Sequence, residues 1–451
     1  MPTDCREKYC IIGAGSSGLA ALKHFLAAGI PCDCLEREAD LGGNWNFGQA
    51  ASSVAASTHL VSSKKLTEYR DFPMPEDWPE YPSHRQALEY FRAYARRFDL
   101  ERHIQFGAVV ERIELTQQGA ASAEPFGPAP WLVRLATGEE RHYRGVVIAN
   151  GHNWDPRWPD YPGEFTGEQI HSRQYKTHDI LFGKRVLVVG GGNSGCDVAC
   201  EAAQHASAAF LSTRRAYHVL PKFFRGNPID QCHEFLLHCR VPLWARRAMN
   251  AVAAHITLGP SYRTGVPRPD HRLFESHPII NSQLHHHVGH GRLQLRGEID
   301  RFAGDRVHFV DGREEQIDLV IFATGYRVTF PFIDHELLNW QADAPRLWLN
   351  VFHPHRDDLF CIGLIQPDSG QWGLVDDQSR MVASYLKALR DAPRRAAALQ
   401  RQKETADSQL SGDSASALSN GVRYLPTPRH ALEVEHFSYR KKMQRVIRQL
   451  R

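Results

Sequence analysis

The sequence predicts an α/β chain holding two copies of one structural unit, and three observations carry that expectation. A short apolar stretch at 9–12 runs into Gly13, Gly15 and Gly18, and residues 19–28 follow with the small and apolar side chains of a helix packed on a sheet. The same order recurs at 185–189, with Gly190, Gly192 and Gly195 and a helix at 196–206. Two further apolar runs, 145–151 and 318–322, end in small residues and have the composition of strands buried on both faces of a parallel sheet. The length of 451 residues allows two or three domains with full cores.

In G-x-G-x-x-G each glycine has its own reason: a tight turn, close approach of the backbone to a pyrophosphate, and close helix–strand packing. The helix start offers unpaired N–H groups and a positive dipole end, which suits phosphates. A second strand is expected at 32–35, with Glu36 at its end. A carboxylate there accepts from a ribose 2′-OH and repels a 2′-phosphate, so the first site favours FAD or NAD over NADP. Its place at the head of the chain, and the continuation through Leu41, Gly42, Gly43, Asn44 and Trp45, favour FAD.

The segment 72–81 is dense in Pro and aromatic residues and is expected to be an ordered, irregular loop. Ser83 should cap a helix over 84–98, followed by strands near 104–115 and 131–135; residues 119–130 read as an exposed hairpin connection. After the second glycine-rich turn, the strand at 209–211 ends in Ser212, Thr213, Arg214 and Arg215 rather than in an acid. Arginines there suit a 2′-phosphate held by charge-assisted bonds, so the second site should prefer NADPH. One helix is expected at 242–255. His285, His286, His287 and His290 lack a nearby Cys or acid at ligand spacing and read as a polar helix end, with no metal. Strand character is expected at 347–364, a helix at 376–390, a polar mobile connection at 397–420 and a basic helical tail at 434–451.

With 54 basic against 51 acidic residues, the overall charge implies neither a nucleic-acid nor an anionic-membrane partner. The nine cysteines are odd in number and form no C-x-x-C pair, and Cys32 and Cys34 read as core or surface thiols. A cytoplasmic chain without a membrane span is expected.

Two dinucleotide sites in tandem imply hydride transfer from a nicotinamide to a flavin. A disulfide reductase would need a cysteine pair, and an electron carrier would need a cluster or haem motif. Molecular oxygen is the acceptor that asks for no further side-chain machinery.

Phe165-x-Gly167-x-x-x-His171-Ser172-x-x-Tyr175, placed between the two glycine-rich turns, joins Gly190–Gly195 followed by Asp197 and the run Phe322-Ala-Thr-Gly-Tyr326. Together these resemble the flavin-containing monooxygenase family, the class B flavoprotein monooxygenases. The resemblance covers the chain from Tyr9 to about Tyr385. It implies two Rossmann-like dinucleotide-binding domains, with the NADPH domain inserted into the FAD domain. The expected boundaries are 1–176 for the first part of the FAD domain, 177–327 for the NADPH domain, and 328–451 for the second FAD part with C-terminal helices. Tyr175 stands where the Baeyer–Villiger branch usually has Trp, which favours N- or S-oxygenation. The implied reaction is NADPH- and O2-dependent, forms a C4a-hydroperoxyflavin, and oxygenates a nucleophilic N or S atom of a small organic substrate.

Residue by residue, the resemblance places Gly13, Gly15, Ser17 and Gly18 at the FAD pyrophosphate and Glu36 with Arg37 at the adenosine end. It places Leu41, Trp45 and His59 along the path to the isoalloxazine. Gly190, Gly192, Asn193, Ser194 and Gly195 would hold NADPH phosphates, with Arg214 and Arg215 on the 2′-phosphate. His171 and Tyr175 would order the linker rather than move protons. Many family members carry an Asn where this chain has Val61, beside Ser62 and Ser63 as the candidate catalytic substitutes. Alternatives are oxygenation of a carbonyl, an uncoupled NADPH oxidase that yields H2O2, and a non-enzymatic flavin-holding redox sensor. Homodimer formation stays open.

Overall fold

The computed structural model describes residues 3–116, 130–409, 424 and 432–451, without the side chains of 261–262 and 407–409. The expected hairpin connection at 119–130 lies almost wholly outside them. The chain divides into two compact units, one formed by Met1–Ser52, Lys64–His152 and Val328–Arg451, the other by Ser53–Ser63 and Asn153–Arg327.

The first unit is built on a seven-stranded sheet. Its parallel part runs Ile104–Gln105, Cys32–Leu35, Thr3–Ile12 and Glu140–Ile148, with Leu359–Cys361 added beside the last. Trp131–Leu135 and Val110–Leu115 continue the sheet antiparallel. The apolar runs behave as the composition demands: Cys10, Ile11, Val146, Val147, Phe360 and Cys361 are all buried. Cys32 and Cys34 are buried free thiols, and burial, with Asp33 nearby, pushes the Cys32 thiol up to about 12.

The helix Ser16–Ala27 follows the first glycine-rich turn, and Trp372–Asp391 packs against it. Their contact includes a bond from His24 Nε2 to Asp376 Oδ1 at 2.7 Å. The helix His84–Arg97 starts in a capping box: Gln86 N–H donates to Ser83 Oγ, and the Gln86 side chain accepts from Ser83 N–H. The irregular segment 72–81 is held from inside, because the buried Lys64 Nζ donates to the carbonyls of Pro75, Glu76 and Trp78 at 3.2, 2.8 and 2.6 Å. One buried ammonium thus satisfies three backbone acceptors that no sheet partner reaches.

The second unit carries an all-parallel five-stranded sheet in the order Leu293–Arg296, Ala208–Ser212, Arg185–Val189, Leu319–Phe322 and Glu168–His171. Arg185 and Asp318 lock adjacent strand starts through a two-pronged ion pair at 2.7 and 3.1 Å. A three-stranded antiparallel sheet, Ile299–Ala303, Arg306–Phe309 and Glu314–Gln316, adjoins it, its Phe302, Val307 and Phe309 sharing a core with Leu187 and Val320.

Several elements differ from expectation. The second unit begins at Asn153 and takes in 53–63, because Glu168–His171 is an edge strand of its sheet. The stretch 104–115 is two strands, not one, and strand character at 347–364 contracts to Leu359–Cys361. The expected mobile connection at 397–420 is helical through Gln409, as part of Pro393–Gln409; its remainder lies outside the described residues. A helix at Ile229–His238 precedes the expected one, which itself extends over Leu243–Leu258.

Candidate cofactor sites on the two glycine-rich turns

In the first unit Gly13 has φ +100°, and a Cβ there would come within 2.8 Å of Ala149 O. A Cβ on Gly18 would lie 1.7 Å from Gly13 O, so only hydrogen lets the helix close onto the turn. Gly15 is the N-cap of Ser16–Ala27, and no side chain caps that end. Its first N–H groups therefore form the kind of positive terminus that takes an anion.

Glu36 stands at the end of Cys32–Leu35, buried at 5% exposure. Its Oε2 accepts from Ala14 N–H at 2.5 Å and its Oε1 from Glu38 N–H at 3.0 Å. Burial raises its pKa, against the opposing pull of these two N–H donors. Each carboxylate oxygen keeps a further lone pair for a hydroxyl donor. Arg37 is half-exposed and turns to Glu38 at 3.2 Å.

The continuation through Gly42 and Gly43 closes on this turn, and so does Gly363, which sequence reasoning missed. Gly42 N–H donates to Ala14 O at 3.0 Å, and a Cβ on Gly43 would sit 3.1 Å from Gly15 Cα. Gly363, at φ +88°, approaches so closely that its Cβ would lie 2.1 Å from Ser17 Oγ; its N–H donates to Gln378 Oε1 at 2.9 Å. No local signal links residue 363 to residue 17. Leu41 is buried, and Trp45 meets Trp372 edge to face at 5.5 Å. His59 falls in the second unit, where its Nδ1 pairs with Ser57 O at 2.8 Å.

The second turn repeats the geometry. Gly190 has φ +117° with a Cβ position 2.4 Å from Ala323 O, and a Cβ on Gly195 would lie 1.9 Å from Gly190 O. Gly192 caps Asn193–His205 without side-chain help. Asn193 Oδ1 accepts from Ile280 N–H at 2.9 Å, and Ser194 is exposed. The neighbouring Asn281 was not foreseen. It donates to Asp197 Oδ1 at 2.8 Å and accepts from the N–H groups of Gln283 and Leu284 at 2.7 and 2.8 Å, clasping the helix start to the segment at 279–284. At the end of Ala208–Ser212 the acid is replaced by Arg214 and Arg215, both exposed; Arg215 reaches Asp270 only at 3.9 Å.

Ser63 is fully buried, and its N–H donates to Asp230 Oδ2 at 2.6 Å; the carboxyl of Asp230 is raised by burial, and the Ser63 hydroxyl acts on it in the opposite sense. Val61 and Ser62 are half-buried. His171 is wholly buried with both ring nitrogens engaged, by Gly325 O at 3.1 Å and Arg173 N–H at 3.2 Å. Burial lowers its pKa to about 4, so it is a neutral Nε2–H tautomer that ties a sheet edge to the 323–326 turn. Tyr175 is buried in the core beneath Asn193–His205. Among the described residues no three His, Cys, Asp or Glu gather as metal ligands.

A family model described as flavin-binding monooxygenase-like matches residues 6–425. The chain is 33% identical over 409 residues to flavin-containing monooxygenase 5 of Mus musculus, covering 86% of this chain and 75% of that protein. It is 32% identical over 408 residues to dimethylaniline monooxygenase [N-oxide-forming] 2 of Pan troglodytes, covering 86% and 74%. Among solved structures, S-allyl-L-cysteine S-oxygenase from Allium sativum superposes with a TM-score of 0.68 at 19% identity, covering 98% of this chain and 88% of that one, a likeness of fold. Two glycine-cradled turns on parallel sheets, and a match that spans both, lead to one conclusion: the chain belongs to the flavin-binding monooxygenase-like family and is an NADPH-dependent flavoprotein monooxygenase with FAD as its second cofactor.

Proposed function

We propose that the protein transfers one atom of O2 to a nucleophilic nitrogen or sulfur of a small organic substrate. The observation that carries this reading is the opposite chemistry at the ends of two matching strands, buried Glu36 in one unit and exposed Arg214 in the other. The first end rejects a 2′-phosphate and the second attracts it, so the two turns are suited to different dinucleotides.

Both turns fit these groups, since each ends in a helix start that no side chain caps, Gly15 and Gly192 standing at the two N-caps, and leaves N–H groups for a pyrophosphate. In the first unit the N–H groups after Gly15 would hold the FAD pyrophosphate, with Ser17 beside them, and Glu36 would accept from the adenosine ribose. Arg37 lies at the same end, and Leu41 and Trp45 line the continuation. In the second, the N–H groups after Gly192, with Asn193 and Ser194, would hold the NADPH pyrophosphate, and Arg214 and Arg215 the 2′-phosphate. The domain assignment follows: the first unit for FAD, the second for NADPH. Bound FAD, reduced by NADPH, supplies oxygen activation, one oxygen atom passing to substrate and the other leaving as water. Nitrogen or sulfur as the accepting atom is supported by Tyr175 and by the N-oxide-forming relative.

The test is turnover under labelled O2 with a tertiary amine, a thioether and a cyclic ketone in parallel. Label in the N-oxide or sulfoxide supports the proposal, label in a lactone moves it to carbonyls, and label only in peroxide or water overturns it. That last outcome is the second reading, an uncoupled oxidase. It is favoured by Val61, whose side chain neither donates nor accepts, and by the engagement of Ser63 with Asp230.

A further inference from the structure

The loop that carries the two arginines of the second unit is held at both ends. It leaves the strand Ala208–Ser212 with Thr213 N–H donating to Arg296 O at 3.1 Å, and it ends where Ile279 N–H donates to His218 O at 2.8 Å. Between these bonds it lies over the second glycine-rich turn, so closely that a Cβ on Gly191 would come within 2.6 Å of the Tyr217 ring and 2.8 Å of Thr213 Cγ2. A backbone clamped in this way fixes where Arg214 and Arg215 start. What a 2′-phosphate meets then depends on where their side chains point.

An acid already faces Arg215. Asp270 Oδ2 lies 3.9 Å from Arg215 Nε, and both side chains are exposed. An exposed pair of this kind usually adds little, because two long or mobile side chains must be held in one geometry. Asp270, however, is anchored from behind. Its Oδ1 accepts from His271 Nδ1 at 2.9 Å, and the His271 side chain is only 5% exposed. His271 O accepts in turn from His218 Nε2 at 2.8 Å, with the two rings edge to face at 5.2 Å. Burial lowers the pKa of His218, so this ring is a neutral Nε2–H donor. The bond from His271 holds the Asp270 carboxyl below the usual carboxylate range, which makes it an anion at neutral pH. The chain of contacts therefore returns to its origin, since His218 stands three positions after Arg215 on the same loop.

Glu298 is a second acid at this edge: its charge and that of Arg214 act in opposite senses on the Tyr161 hydroxyl. Asp270 is the one pinned by a buried side chain. A 2′-phosphate carries close to two negative charges. A fixed carboxylate beside Arg215 competes with it for the guanidinium and repels it as well, whereas a nucleotide with a 2′-hydroxyl meets neither effect.

We propose that Asp270 is a specificity-determining residue, a fixed counter-ion of Arg215 that the 2′-phosphate must displace, and that it narrows the preference for NADPH over NADH. This rests on the placement of the 2′-phosphate at Arg214 and Arg215 proposed above.

The test is calorimetric titration of the FAD-loaded protein with adenosine 2′,5′-bisphosphate and, in parallel, with AMP, which lacks the 2′-phosphate. At low salt Asp270→Asn should tighten the bisphosphate by about three- to tenfold and leave AMP within about twofold. High salt should shrink the gain, and Asp270→Lys should enlarge it. Flavin absorbance and melting temperature verify that each variant is folded. Unchanged or weaker bisphosphate binding by both variants, or equal tightening of AMP, overturns the proposal. Arg214→Ala separates its failure from that of the underlying site. If that variant weakens the bisphosphate while Asp270→Asn changes nothing, the role of Asp270 alone falls; if it leaves both ligands unaffected, the 2′-phosphate assignment falls with it.

Discussion

At the scale of single residues, the glycine positions are the least replaceable. Gly18→Ala would place a methyl group 1.7 Å from Gly13 O, in backbone that cannot yield without opening the turn. It should cost about 3 kcal/mol or more and leave a protein poor in FAD, whereas Gly297→Ala, with nothing within 4 Å, should change stability by less than about 1 kcal/mol. Thermal unfolding and flavin absorbance per chain check both. Arg214→Ala should raise KM for NADPH by roughly 10- to 100-fold, the loss of one charge-assisted bond, and leave NADH use nearly as it was. Steady-state kinetics with the two nucleotides decide it, and equal losses would remove the 2′-phosphate assignment.

What could be read from sequence at this scale was what local geometry enforces. A glycine at φ +100° or +117° leaves a fixed spacing in the chain, and the residue that ends the next strand follows at a predictable distance. Gly363 beside Ser17, Asn281 beside Asp197 and Asp230 beside Ser63 are products of tertiary closure, and nothing in their neighbourhoods announces them.

At the scale of elements, Asn281 links two of them. Its side chain fixes the N–H groups at 283 and 284 while donating to Asp197 on the helix that begins at Asn193. Asn281→Ala should therefore lower stability by roughly 1–3 kcal/mol and raise KM for NADPH, with flavin content unchanged; urea unfolding and nucleotide titration measure the two effects. Helices were legible where caps announced them, as at Ser83, and obscured where composition was averaged too widely. Pro393 stands first in its helix and is followed by Ala, Arg, Gln, Lys and Glu, strong helix formers, yet the polar run beyond residue 409 disguised them as linker. The helix Leu243–Leu258 was found by pattern, but only structure shows that Arg246, Asn250 and Ala253 are on its buried face.

At the scale of the molecule, buried histidines govern acid stability. Burial lowers His171 to about 4, and burial together with Arg440 takes His436 to about 3. Unfolded, each would titrate near 6.5, so below that pH the unfolded chain binds protons that the native one refuses. Their contribution is complete above pH 6.5 and is lost as pH falls toward 4, at about 3 kcal/mol for His171. Urea unfolding between pH 7.5 and 4 should show this decline, and His171→Gln should flatten its slope by close to one proton.

The two-unit architecture was readable because the glycine-rich motif occurs twice. The limits of the units were not, because segment 53–63 and the strand Glu168–His171 take their allegiance from pairing partners more than a hundred residues away.

Leu359–Cys361 lies beside Glu140–Ile148, and Gly363 closes on Ser17. During synthesis the amino-terminal strands must therefore wait, unfinished, while the ribosome makes the whole intervening unit, whose sheet is complete by Phe322. Nascent chains halted once residue 327 has cleared the ribosome should already resist protease across the inserted unit while the flanking segment is still cut, and capture of flavin should come only with release of the finished polypeptide.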